Sequence, residues 1–326
     1  MSFNENVQLD TSQVESGGGD SFGGGSSGRS GRSGGFPGGI QVGGGIGGLI
    51  ILILMLIFGG GAIGGGNTQI PDSQTTTQST PLDPSQVAAG GQQSSADFSQ
   101  CRTGADANKN DDCLVIATVN SVQAYWAQTL PQYGRQYIPA KTVLYSGATQ
   151  SQCGTASNDV GPFYCPLDQK VYIDSSFFQE LSQRFGSSSG QLAKEYVIAH
   201  EYGHRIQDLL NLLGRAQQDP QGAQSGSVRL ELMADCLAGT WVRHATETKD
   251  ANGTAYLKPI TQKDISDALS AASAVGDDRI QKATQGRVTP ETWTHGSSAA
   301  RQRWFTQGYQ TGDIQQCNTF GVSNVE

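Results

Sequence analysis

Histidine is scarce in this chain, with four in 326 residues. Cysteine, histidine, tyrosine and tryptophan are all missing from the first hundred residues. No Cys-x-x-Cys spacing occurs anywhere, which speaks against a separate zinc knuckle. No basic stripe is present and the formal net charge is −8, so a nucleic-acid partner is not expected. Lys and Arg are absent between Arg32 and Arg102, and Ile40 to Ile63 carries no charge of either sign.

These gaps divide the chain. Residues 1–39 are Gly- and Ser-rich and read as a disordered tail, with few apolar groups to offset the entropy of ordering. Residues 40–63 read as one transmembrane helix, about 36 Å long with its glycine flanks. Arg29 and Arg32 precede it, so the positive-inside bias puts the N-terminus in the cytoplasm and the remainder outside. Cleavage near Ala62 is the alternative to a retained anchor. Residues 64–100 are rich in Thr, Gln, Ser and Pro and read as a flexible linker. Residues 101–320 hold all the cysteine, histidine and tryptophan and are long enough for one core. A short C-terminal tail, 321–326, follows.

Within 101–320 strands come first and helices afterwards, the order of an α+β domain. Leu114–Leu130 reads as a helix closed by Pro131. Thr142–Tyr145 and Lys170–Asp174 read as strands, and the second is a candidate to pair with an extended substrate. Phe177–Phe185 reads as a short helix. Gly190–Leu213 reads as a long one, stopped by Gly214. Helices over 228–246 and 261–284, the latter broken near Gly276, and over 299–309 complete the domain.

The long helix carries His200-Glu201-Tyr202-Gly203-His204. Positions four apart share a helical face, so both imidazoles can reach one metal ion. Glu201 then lies close enough to handle the proton of a metal-bound water. Charged and polar groups inside so apolar a helix need a reason, and a metal supplies one. A catalytic zinc site takes a third protein ligand and keeps a fourth position for water. Glu231 is the candidate ligand. Asp235, one turn on, would accept a hydrogen bond from the second nitrogen of a ligating histidine. A pair of acids on a helix is more often a solvated face, but Leu230, Leu232, Met233, Ala234, Leu237 and Ala238 surround this pair. His295, in the turn before Gly296-Ser297, is a candidate oxyanion donor beside its plainer reading as a structural histidine. Tyr202 is expected to face away from the metal, and His244 to be a surface or cap residue. Asp277 and Asp278 could support the site or cap a helix.

The pattern His-Glu-x-x-His with a later Glu-x-x-x-Asp resembles the gluzincin metallopeptidases. Gly161-Pro162-Phe163-Tyr164-Cys165-Pro166, His200 to Gln207, Ala234 to Gly239, Gly276-Asp277-Asp278 and His295-Gly296-Ser297 resemble, more closely, the bacterial neutral zinc metallopeptidases of the YpfJ-like kind. The resemblance covers about residues 101–320. It implies a zincin-like α+β domain, one Zn²⁺ per chain and a peptide or protein substrate, and it fits a Gly-rich N-terminal region with one membrane span.

Six cysteines beyond the apolar stretch suit an oxidising compartment. Proximity suggests Cys101–Cys113 and Cys153–Cys165, leaving Cys236–Cys317; fifteen pairings exist in principle, and free buried thiols are the other reading. The sequence therefore points to a single-pass cell-membrane protein with an extracytoplasmic zinc peptidase domain and Glu201 as general base. A non-enzymatic envelope protein binding a partner on an inactive scaffold is the competing reading.

Overall fold

The computed structural model describes residues 2–17, 97–157 and 160–326. The stretch expected to cross a membrane, 40–63, and most of the expected linker lie outside the described residues. Among the described residues no helix is long and apolar enough to cross a membrane.

Six strands are present among the described residues: β1 Val14–Ser16, β2 Lys141–Tyr145, β3 Ala148–Ser151, β4 Gly154–Ser157, β5 Phe163–Cys165 and β6 Lys170–Asp174. Nine α-helices accompany them there: α1 Gly104–Ala107, α2 Asp111–Thr129, α3 Phe177–Gln183, α4 Gln191–Leu209, α5 Gly214–Gln218, α6 Gly226–His244, α7 Gln262–Ala274, α8 Asp277–Gln285 and α9 Ser298–Thr311. The mixed α+β class is as expected.

The main sheet runs β1-β2-β6-β5. β1 and β2 are parallel, as are β2 and β6, whereas β6 and β5 are antiparallel. β3 and β4 form a separate hairpin. Lys170–Asp174 is thus an interior strand, paired along its whole length with β2 and over Lys170–Tyr172 with β5. Over those three residues it has no edge free for a substrate strand, contrary to the sequence expectation, because Phe163–Cys165 folds back onto it. The edge left open on that side belongs to β5.

α2 is buried on all sides over most of its length, which fits its lack of a polar stripe. Asn110 caps it by accepting from the backbone N–H groups of Asp112 and Cys113 at 2.8 and 3.1 Å. α4 lies among α2, α6 and α7, and α6 packs on α9. Small residues set these spacings. A Cβ at Gly203 would come within 2.9 Å of the Ala234 Cα, and one at Gly308 within 1.9 Å of the Cys236 carbonyl oxygen. Both crossings need glycine for helices to approach so closely.

Four further expectations change. Residues 2–17, expected to be disordered with the rest of 1–39, are packed on the domain. Phe3, Val7 and Val14 are buried, and Val14–Ser16 pairs with Thr142–Leu144. Their apolar residues are too widely spaced to show a period, and backbone hydrogen bonds to Arg102, Gly104, Tyr256 and Lys258 help offset the ordering entropy. Residues 97–100, expected to belong to the linker, include the 3₁₀ turn Phe98–Gln100. The C-terminal tail is docked too: Val325 is buried and its carbonyl accepts from the Trp304 indole N–H at 2.9 Å. Finally, Gly214 opens α5 rather than stopping α4. The stop is at Leu210, followed by Asn211 in the left-handed region at φ 60°.

The three disulfides are Cys101–Cys113, Cys153–Cys165 and Cys236–Cys317. The first two close short loops. The third joins α6 to the C-terminal segment.

Candidate metal centre

The close crossing at Gly203 puts one face of α4 against one face of α6. On α4 that face carries His200 and His204; on α6 it carries Glu231 and Asp235. His200 Nε2 lies 3.2 Å from Glu231 Oε2, and His204 Nε2 lies 3.4 Å from Glu231 Oε1. Ligand atoms of all three residues fall within 4.8 Å of one another. His200 and Glu231 are buried and His204 is half-buried.

The far nitrogens are held as well. His200 Nδ1 is 2.8 Å from Asp235 Oδ1, and His204 Nδ1 is 2.9 Å from Gln207 Oε1. Both Nδ1 atoms face oxygen acceptors, so they carry the N–H and each Nε2 lone pair turns to the shared centre. Gln207 is itself fixed, its amide donating to the Leu230 carbonyl on α6 at 2.6 Å. Burial alone would lower the His200 pKa, but the carboxylates of Asp235 and Glu231 reverse this and push it up to about 10. His204 is raised the same way, chiefly by Glu231 acting against burial. Burial would raise Glu231, and His204 and His295 hold it well below the ordinary carboxylate range. The pocket thus favours positive charge at its centre. Two imidazole nitrogens and a carboxylate are a donor set that suits zinc.

Glu201 is buried beside this centre. Burial pushes its carboxyl up, while His200, His204 and a hydrogen bond from the Tyr164 backbone N–H act against the rise. Asp235 is fully buried yet held ionised: burial raises its pKa, and Arg301 and His200 more than offset that. The Arg301 Nε and Nη2 donate to the two oxygens of Asp235 at 2.9 and 3.0 Å. The Tyr196 hydroxyl also donates to Asp235.

His295 is buried near the same centre. Its Nδ1 lies 2.8 Å from Thr294 Oγ1 and 3.4 Å from Asp277 Oδ1. Asp277 Oδ2 accepts the backbone N–H groups of Thr294, His295 and Gly296 at 2.8, 2.7 and 3.1 Å, fixing the turn that bears the imidazole. Asp278 instead accepts from the Ser298 backbone N–H at 2.8 Å, at the start of α9. Tyr202 points to the sheet, its hydroxyl 3.0 Å from Thr142 Oγ1. His244 stays outside the site and contacts Glu247 and the Gly312 carbonyl.

The structure therefore brings together His200, Glu201, His204, Glu231, Asp235 and His295. Sequence reasoning passed over Gln207, Tyr196 and Arg301 and left Asp277 undecided. Gln207 was within reach, three residues after His204 on the same helix. Arg301 sits 66 residues from Asp235, with no local pattern to link them.

A buried two-histidine, one-glutamate centre with a second glutamate beside it, on an α+β scaffold, is that of a metallopeptidase-like protein. The chain belongs to the family described as "Putative neutral zinc metallopeptidase", which matches residues 13–320. It is 56% identical over 230 residues to the "Uncharacterized protein Rv2575" of Mycobacterium tuberculosis, covering 70% of this chain and 77% of that protein. It is 41% identical over 215 residues to the "Uncharacterized protein YpfJ" of Escherichia coli K12, covering 64% of this chain and 70% of that protein. No solved structure matches the chain.

Proposed function

We propose that this protein is a zinc-dependent endopeptidase with a zincin-like catalytic domain. The carrying observation is Glu201: a buried carboxylate, raised by burial, set beside three converging metal-ligand side chains. A purely structural metal site has no use for a base there.

His200, His204 and Glu231 would hold one zinc ion, which supplies Lewis acidity and a nucleophile near neutral pH. The chain's own residues do the rest. Glu201 takes a proton from the attacking water at its carboxylate and returns one to the departing amine. His295 has Nδ1 committed to Thr294 and Asp277, so Nε2 is the nitrogen left for a developing oxyanion. Asp235 holds the His200 ring, and Gln207 the His204 ring. The open edge of β5, a strand in contact with α4, offers main-chain hydrogen bonds to an extended peptide. The substrate is accordingly a peptide or protein segment in extended form. Three disulfides support an oxidising compartment for the domain.

The test uses the full chain, zinc-loaded, on casein and on a broad peptide library, beside Glu201→Gln. Zinc binding by both proteins with cleavage only by the unchanged one supports the reading. Zinc binding by both with no cleavage by either sinks it.

A further inference from the structure

We infer that Arg205 and Asp208 clamp the Tyr164 phenol and so pre-organise β5 as the docking edge for an extended peptide. They are positioning residues for substrate and act through Tyr164. The inference rests on the peptidase reading and deepens it.

Arg205 directly follows His204, and Asp208 directly follows Gln207, which holds the His204 ring. A helix turns about 100° per residue, so one step along α4 leads from the metal face to the face beside it. Arg205 is buried, and each of its three side-chain nitrogens donates. Nε and Nη2 donate to the Ile138 carbonyl at 3.2 and 3.1 Å. Nη1 donates to the Tyr164 hydroxyl and to Asp208 Oδ2, both at 3.0 Å. The hydroxyl in turn donates to the same Asp208 oxygen at 2.6 Å. Guanidinium, carboxylate and phenol thus close a triangle in which the phenol both gives and accepts a hydrogen bond. The carboxylate also supplies the counter-charge that a buried guanidinium requires.

The strand at the other end of this triangle is short. β5 has three residues and, among the described residues, one strand partner, β6. Side chains alternate along a strand. Phe163 and Cys165 pack with Tyr172 and Cys153 on one face, and Tyr164 points from the other face to α4. The Cys153–Cys165 bridge ties β5 to the turn of the β3–β4 hairpin. The phenol ties it to the helix that carries His200 and His204. A loosely held edge would have to be ordered each time a peptide added to it, and that cost would weaken binding. The clamp orders the strand in advance, within one helical turn of a metal-ligand side chain.

The test uses the full chain loaded with zinc, in the Glu201→Gln background, and follows binding of fluorescein-labelled casein by anisotropy. Tyr164→Phe removes only the hydroxyl. It is expected to weaken casein binding about five- to tenfold, the order of the cost of immobilising one or two side chains, with zinc affinity unchanged. Arg205→Lys is expected to weaken it as well, because an ammonium cannot hold Ile138, Tyr164 and Asp208 together. Should Arg205→Lys not fold, Tyr164→Phe decides by itself. With Glu201 intact, Tyr164→Phe is expected to raise KM for casein by the same factor and to change kcat less, since bound substrate restores the order of the strand. Unchanged casein affinity in folded Tyr164→Phe, an equal loss of zinc affinity, or no casein binding in the Glu201→Gln background overturns the inference. Casein binding that depends on the Tyr164 hydroxyl, without cleavage by the unchanged protein, supports the clamp and overturns the peptidase reading alone.

Discussion

The guanidinium of Arg301 grips both oxygens of Asp235, and Asp235 in turn holds His200 Nδ1 at 2.8 Å. Arg301 is on α9, Asp235 on α6 and His200 on α4, so one carboxylate joins three helices at the rim of the metal centre. All three side chains are buried. Arg301 keeps the carboxylate ionised, and the carboxylate keeps the imidazole turned to the centre. The orientation of a candidate metal ligand is thus set, through Asp235, by an arginine on a third helix.

Removing that guanidinium leaves a buried carboxylate without its counter-charge. Arg301→Met is predicted to cost about 3–5 kcal/mol of stability, the usual penalty for breaking a buried pair. It is also predicted to weaken zinc binding by about 10–100-fold, as loss of an orienting partner does. Arg301→Lys should recover part of the stability and less of the affinity, because an ammonium cannot reach both oxygens. Denaturant unfolding and competitive zinc titration check both; unchanged zinc affinity in Arg301→Met would refute the positioning role.

Asp277 fixes the turn that carries His295 without touching the three ligand side chains of the centre. Asp277→Asn is predicted to leave zinc affinity within a few-fold and to lower kcat by about 10–100-fold, within the range for a misplaced catalytic group. KM should change less than kcat. Steady-state kinetics on one cleaved peptide, with zinc content measured in parallel, separates this from general damage.

Gly203 sets the distance between the helices. In Gly203→Ala the new methyl would lie 2.9 Å from the Ala234 Cα, a backbone atom that can move only with its helix. The helices must part, and the donors with them. Zinc affinity is predicted to fall by at least about tenfold, since a donor set holds its metal only over a narrow range of distances. Titration of the folded variant tests this.

Glu195 is a fully buried acid one turn before the motif, and neither of its oxygens has a hydrogen-bond partner. Burial pushes its pKa from 4.5 up to about 8. The unfolded chain releases this proton near 4.5 and the folded chain holds it to about 8. Between those values the folded state binds more protons, so stability falls as pH rises. The loss amounts to roughly 3–5 kcal/mol at most, complete above the upper value and absent below the lower one. Glu195→Gln should flatten that part of the profile. Thermal unfolding at pH 5, 6.5 and 8 measures it, and parallel profiles for the two proteins would contradict it.

The Cys236–Cys317 bridge spans 81 residues. Replacing both by Ser is predicted to cost about 4–5 kcal/mol if the unfolded chain gains the corresponding loop entropy. Because Cys236 adjoins Asp235, zinc titration of the double variant shows whether the bridge also serves the centre.

The chemistry of the site was written locally. His200, Glu201 and His204 share one turn of α4, and Glu231 and Asp235 share one of α6. Helical periodicity puts each set on a face, so the sequence determined which side chains stand together along each helix. It also determined the α+β order of elements and suggested two of the cysteine pairs by proximity, leaving Cys236 with Cys317. Other relationships are long-range. Nothing near Lys170–Asp174 says that β5 returns to cover it. Nothing in the first seventeen residues announces a strand, because Phe3, Val7 and Val14 acquire their value only from the surfaces that receive them. Arg301 reads as one surface arginine among many until α9 lies across α6. Tertiary structure alone decided these, since burial, open edges and counter-charges belong to the packed body and not to any stretch of chain.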